Sequence, residues 1–395
     1  MKSADNIYIM KDQFLLNPEI TYLNFASFGA CAKPVFEDYQ NYQRELEREP
    51  VQFIAVNSTH YLKASRKAIA SYIHCHEDDV VFTPNPSYAI NIITKSLKLN
   101  PGDEILSTDL EYGAMDRTWN HYCRQTGAKY VRQHIHLPIS SREQILADFE
   151  KGLTAKTKVV FLGQITSATA LILPVKEICM MAKEKGLLTI VDGAHVPGHI
   201  PLNLQELKAD IYTGACHKWM MTPKGCSFLY VNKENQSWVD PLVVNWGYES
   251  AMPSHSQFQD YHEMQGTRDI SAFLTVPKAL EFMSAHDWDR KAADCRKLVR
   301  DNAARFLALL HTQPLAPVTE EFIGQMISLP IRTKEPEALQ RLLFTDYRIE
   351  VPIMRHGEHC YLRYSIQAFN TQQDLDTLYN ALENILKTTS LIGSN

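Results

Sequence analysis

From about residue 60 to residue 230, short apolar runs alternate with longer segments in which apolar positions recur every three or four residues. Runs of this kind suit strands covered on both faces, and the spaced pattern suits helices laid over them. The chain therefore predicts an α/β fold with a largely parallel sheet. Expected strands span 79–82, 104–107, 129–133, 158–162, 187–191 and 210–213, with a further one over 225–231 entered through the turn at Pro223–Gly225. Across 175–185, Val175, Ile178, Cys179 and Ala182 share one helical stripe, and Lys183, Glu184 and Lys185 close the helix before Gly186. Beyond about residue 275 the pattern changes to a long helical stretch over 279–310, strands near 327–329 and 361–366, and a terminal helix from Asp374. No Gly/Ser linker separates the two regions, so they are expected to pack closely.

Charge and composition narrow the class of ligand. The chain has 395 residues, is 45% hydrophobic and 22% charged, and carries a formal net charge of −5. No clustered basic surface is visible for nucleic acid or an anionic membrane, which leaves a small molecule as the expected ligand. The longest uncharged stretch, 159–175, is broken by Gly163, Gln164, Thr166, Ser167 and Thr169 and reads as a buried strand with its loop. Met1 to Phe14 carries Asp5 and Asp12 and lacks the apolar core of a signal peptide. The eight cysteines form no CxxC pair, and no zinc-like or HExxH spacing is present, so a reduced, cytoplasmic, metal-free protein is expected.

Three polar groups directly follow expected strands, the place where open α/β sheets bind ligands. Asn85-Pro86-Ser87-Tyr88 opens a helix, whose N-terminus with the Ser87 hydroxyl suits a phosphate; alone it reads as an ordinary N-cap by Ser87. Asp192 ends an apolar run and is followed by Gly193-Ala194-His195; a buried carboxylate there calls for a partner such as a protonated ring nitrogen, or else serves as a turn residue. His195 alone reads as structural. His217-Lys218 follows the 210–213 strand, where a desolvated lysine becomes a neutral nucleophile able to form an imine. Together with Thr166-Ser167-Ala168-Thr169 these supply what a pyridoxal 5′-phosphate site needs: an anion hold, a ring-oxygen partner, a pyridinium partner and an imine lysine.

At these residues the chain resembles the class V aminotransferase family of fold-type I pyridoxal phosphate enzymes. The resemblance runs from about Tyr22 to Leu378 and rests on Asp192-Gly193-Ala194-His195, His217-Lys218-Trp219 followed by Pro223-Lys224-Gly225, and Tyr22-Leu23-Asn24-Phe25-Ala26-Ser27-Phe28-Gly29. It implies a seven-stranded, mostly parallel sheet, with an N-terminal segment over 1–30 reaching the active site, a large cofactor-binding domain over 31–270 and a smaller α/β domain over 271–395. It implies catalytic roles for Lys218 and Asp192, with Ser87, Tyr88, Tyr112, Ser167, Thr169, His195 and His217 around the cofactor. Tyr112 stands where relatives place a ring-stacking histidine. Gly266-Thr267 would hold the phosphate of a neighbouring subunit's cofactor, making a homodimer with shared sites. Arg363 would grip the substrate carboxylate, with Ser27, Phe28 and Trp246 nearby, although on pattern alone Thr267 and Arg363 read as surface residues.

Within the family, Glu111-Tyr112-Gly113-Ala114, Asn245-Trp246-Gly247-Tyr248-Glu249 and Arg348-Ile349-Glu350-Val351-Pro352 look most like the isopenicillin N epimerase branch. The implied activity is epimerisation at the Cα of an amino-acid substrate, with C–S lysis and transamination as alternatives served by the same residues. Desulfurase activity is disfavoured, because Cys360 stands only three residues before Arg363, with no lid to carry it. A binding protein without turnover is the rival from another class; it is ranked below the enzyme because Lys218, Asp192 and Arg363 occur together.

Overall fold

The computed structural model describes residues 10–393; residues 1–9, within the segment expected to lack a targeting signal, lie outside those described. Its centre is a sheet of β1 (Val80–Thr83), β2 (Glu104–Thr108), β3 (Lys129–Gln133), β4 (Thr157–Gly163), β5 (Leu188–Asp192), β6 (Ile211–Ala215) and β7 (Ser227–Val231). The seven strands lie in the order β1-β7-β6-β5-β4-β2-β3. Only β7 is antiparallel, to β1 on one side and β6 on the other. Each expected strand is present within a residue or two of its expected bounds. They are readable because the sheet is covered on both sides: Val160 and Leu162 enter one apolar cluster, Val159 and Phe161 the other.

The covering helices include α1 (Lys33–Arg48), α2 (Ser58–Ile73), α3 (Pro86–Ser96), α4 (Gly113–Thr126) and α5 (Val175–Glu184). In α5 the expected stripe of Val175, Ile178, Cys179 and Ala182 is buried. Gly186, at φ +68°, supplies the left-handed turn that follows the helix.

In the C-terminal region, β8 (Met326–Ile331), β9 (Ile353–His356) and β10 (His359–Ser365) form a separate antiparallel sheet in the order β9-β10-β8. It is backed by α6 (Trp288–Leu309), against which α7 (Gln372–Thr388) packs. The single helical stretch expected over 279–310 is two helices, Val276–Ala285 and α6, separated at His286 and Asp287, where Asp287 adopts φ +50°. Strand β9 and a helix over Pro336–Thr345 were not anticipated. β9 is a short edge strand ending in Arg355 and His356, whose polarity masks it, and Gly357 at φ +58° turns it into β10.

The N-terminal segment is sewn to this region. Thr21–Tyr22 pairs in parallel with Ile349–Glu350, the Ser365 N–H donates to the Leu23 carbonyl at 2.9 Å, and Asn370 Nδ2 donates to the Tyr22 carbonyl at 2.9 Å. Among the described residues no helix is long and apolar enough to cross a membrane.

Candidate active site

A cleft of about 340 Å³ opens at the carboxyl ends of the strands. Asn85 to Ser87 enter it after β1, Glu111 and Tyr112 after β2, Ser167 after β4, Asp192 to His195 after β5, and His217 and Lys218 after β6. Ser27 and Phe28 of the N-terminal segment complete its rim. The predicted polar groups therefore converge because consecutive strand ends of a mostly parallel sheet share one edge.

At one end of the cleft, α3 begins. Its N-cap is Asn85, whose Oδ1 accepts the Tyr88 N–H at 2.9 Å, and Pro86 occupies the first turn. This corrects the reading of Ser87 as the cap: Ser87 lies inside the first turn and lines the cleft. The Tyr88 hydroxyl points elsewhere, donating to Gln265 Oε1 at 3.2 Å beside the Gly266–Thr267 turn. The His217 ring has Nδ1 at 2.8 Å from the Cys226 carbonyl, which must be a donating N–H, so Nε2 is the nitrogen left for a ligand. Burial lowers its pKa to about 4, leaving it neutral.

Lys218 is half-buried on the cleft floor. Its pKa is lowered to about 8: desolvation dominates, Asp192 opposes it and Arg363 adds to it. Asp192 is buried, with Oδ1 accepting the Ala194 N–H at 2.9 Å, and burial raises its pKa. His195 packs against the lysine, with Nε2 at 3.3 Å from Lys218 Nζ. Gly29, at φ +65°, is where the N-terminal segment crosses the lysine loop. A Cβ there would lie 2.3 Å from the His217 carbonyl oxygen and 2.7 Å from that of Lys218, so any side chain would force the two apart.

Arg363 is not a surface residue: it is 2% exposed on β10. Nη1 donates to the Ser167 carbonyl at 2.6 Å and Nη2 to Ser27 Oγ at 3.0 Å, while Nε has no partner. Ser27 donates in turn to Asn24 Oδ1 at 2.5 Å, and Asn24 Nδ2 to Glu350 at 3.1 Å. Burial lowers the Arg363 pKa to about 10, and among the described residues no carboxylate pairs with it. A buried guanidinium without a counter-ion is costly, and an anionic ligand would remove that cost.

The other expected site residues scatter. Tyr112, 50% exposed, and Phe28, 70% exposed, stand at the rim. Thr169 is buried, sharing its hydroxyl with Thr166 at 2.6 Å, and does not line the cleft. Gly266 and Thr267 are exposed, and Trp246 is 87% exposed on an outer loop; none of the three lines this cleft. Cys360 lines a different cavity, with His311 and His359.

Glu111 was missed as a site residue. Its Oε1 accepts from the Thr108 hydroxyl at 2.6 Å and its Oε2 from the Gly163 N–H at 2.8 Å, and burial raises its pKa to about 8. The available signal was a carboxylate three residues beyond Thr108, the last residue of a strand. Because the folded protein holds this proton more tightly than the unfolded chain, the stability it confers is complete below about pH 4.5 and is lost as pH rises through about 8. A Glu111→Gln variant keeps both contacts without that loss. Its stability relative to the parent should therefore grow by about 1 kcal/mol between pH 7 and pH 9, read by urea melts at the two pH values; a constant difference contradicts the raised pKa.

A cleft with a half-buried, desolvated lysine and a buried carboxylate at the carboxyl edge of this sheet is the arrangement of a fold-type I pyridoxal phosphate enzyme. The family model for aminotransferase class-V matches residues 22–378, and the chain belongs to that family. It is 29% identical over 392 residues to the isopenicillin N epimerase of Amycolatopsis lactamdurans, spanning 95% of this chain and 98% of that protein. It is 30% identical over 386 residues to the isopenicillin N epimerase of Streptomyces clavuligerus (94% and 96%), and 26% identical to an L-cysteine desulfhydrase of Arabidopsis thaliana (93% and 88%). In fold it is similar to a cysteine desulfurase of Thermococcus onnurineus, with TM-score 0.82 at 21% identity over 96% of this chain and 98% of that one. The cofactor is pyridoxal 5′-phosphate. The residues present fit it, since Lys218 is a desolvated amine, Asp192 a buried carboxylate short of partners, and the start of α3 an anion-binding end.

Proposed function

We propose that this enzyme acts at the Cα of an amino acid or amino-acid-derived substrate as an epimerase. The observation that carries this is Arg363, a buried guanidinium without a counter-ion, held beside the cleft that contains Lys218 and Asp192. When bound, the cofactor supplies an electron-withdrawing ring that accepts the electron pair left when a bond to Cα breaks. Asp192 would hold a proton on the ring nitrogen, and Ser87 with the α3 N-terminus would hold the phosphate. Arg363 takes the substrate carboxylate in its fork and so fixes the direction of the Cα–H bond. Lys218, with its pKa lowered to about 8, is available as a free base near neutral pH to remove that proton.

Inversion requires a proton donor on the other face, and the Tyr112 phenol at the rim fills that role. A Tyr112→Phe variant keeps the ring and loses only the hydroxyl. Exchange of the Cα proton with deuterium should stay within about threefold of the parent, while inversion falls at least about tenfold. Equal loss of both would remove Tyr112 from this role.

β-Elimination from a sulfur-bearing substrate is the second reading, supported by the likeness to L-cysteine desulfhydrases. A desulfurase reaction draws no support from Cys360, which lines another cavity. The exposed Gly266–Thr267 turn supports a second copy of the chain as the source of further phosphate contacts. The test is a panel of L- and D-amino acids and short peptides incubated with holoenzyme in deuterated water. Deuterium at Cα with inversion is expected, from a species that sediments as a dimer. Release of sulfide or a keto acid without inversion selects the alternatives, and no exchange with any compound sinks Cα chemistry.

A further inference from the structure

The nitrogen that faces Lys218 has its protonation dictated from behind. An indole has one polar hydrogen and no acceptor, so Trp219 Nε1 can only donate, and it does so to His195 Nδ1 at 3.4 Å. A neutral imidazole that accepts at Nδ1 carries its proton on Nε2, and this nitrogen lies 3.3 Å from Lys218 Nζ. His195 stays neutral because it is buried and faces Lys218, Arg363, His199 and His217. Trp219 is itself fully buried and held in place: the His199 ring lies 4.1 Å from it at 31°. His199 is oriented by the same logic, since its Nε2 accepts the Gln325 N–H at 2.5 Å and its Nδ1–H therefore donates to the His195 carbonyl at 2.8 Å.

We infer that Trp219 is a positioning residue that fixes the Nε2–H form of His195 and thereby makes Lys218 accept, rather than donate, across the 3.3 Å contact, favouring the uncharged amine. Among the other groups facing Lys218, Asp192 favours the ammonium and Arg363 disfavours it, whereas the Trp219 N–H is spent on His195. Removing the indole N–H frees the imidazole to move its proton to Nδ1 and offer the Nε2 lone pair to an ammonium. The sign follows: the lysine becomes harder to deprotonate.

The functional meaning rests on Lys218 being the reacting amine, but the contact can be tested without turnover. The probe is the rate at which full-length protein, stripped of cofactor, captures pyridoxal 5′-phosphate as a function of pH, followed by absorbance. Trp219→Phe should move the midpoint up by about half a unit to one unit, the scale of one hydrogen bond. In a His195→Phe background the same substitution should leave the midpoint where it is. An unchanged midpoint in the first case, or an equal shift in both, overturns the inference. Failure of Lys218→Ala to abolish capture would instead overturn the assignment of the reacting amine, which separates the two.

Discussion

A Lys218→Ala variant is expected to lose Cα-proton exchange by at least about 10,000-fold, because the proposed covalent anchor and general base are one amine. Borohydride should no longer fix the cofactor to the protein, which mass spectrometry reads directly. The pH dependence of the parent gives the same residue a second signature. Only the free amine attacks an aldehyde, and burial places its pKa at about 8, so capture of the cofactor should rise from pH 7 to pH 9 and fall about tenfold per unit below pH 7. A variant at this position that still forms a borohydride-stable adduct would move the chemistry to another lysine.

The second large effect is expected at Arg363. Its two Nη atoms are held by Ser167 and Ser27 in a setting with no competing carboxylate, so a substrate carboxylate would meet a planar fork already in place. Losing one partner of such a buried charged contact costs about 3–5 kcal/mol, or roughly 150- to 5,000-fold in kcat/KM. Arg363→Lys should fall in this range despite keeping the charge, since an ammonium cannot reproduce the fork. The decisive control is an amine lacking the carboxylate, which should react equally poorly with parent and variant. If the variant discriminates against that amine as strongly as the parent does, Arg363 is not the carboxylate site.

The strand ends that carry Ser87, Asp192 and Lys218 were legible because a parallel sheet buried on both faces writes itself as unbroken apolar runs, and a polar residue closing such a run is conspicuous. Asn85 before Pro86 was an equally legible cap signature, since asparagine at the N-cap and proline in the first turn satisfy the same open amides. Arg363 could not be read this way. It lies between Leu362 and Tyr364 in a strand of ordinary alternation, and only the fold brings it to Ser27, 336 residues earlier. Trp219 was legible as part of the lysine motif but not as a hydrogen-bond donor, because its acceptor lies across a loop. The C-terminal helix break at Asp287 left no mark either, as it depends on one left-handed residue that is not glycine.

The pairing of Thr21–Tyr22 with Ile349–Glu350 orders events during synthesis. The elements around the lysine, from Asn85 to the end of β7, are contiguous and can pair with one another without the C-terminal sheet. The contact between Arg363 and Ser27 cannot form without it, because Ser27 must wait for a strand almost at the far end of the polypeptide. Ordering of the Arg363 side chain is thus a late event that depends on both ends of the chain, whereas the strand ends carrying Asp192 and Lys218 depend on its middle.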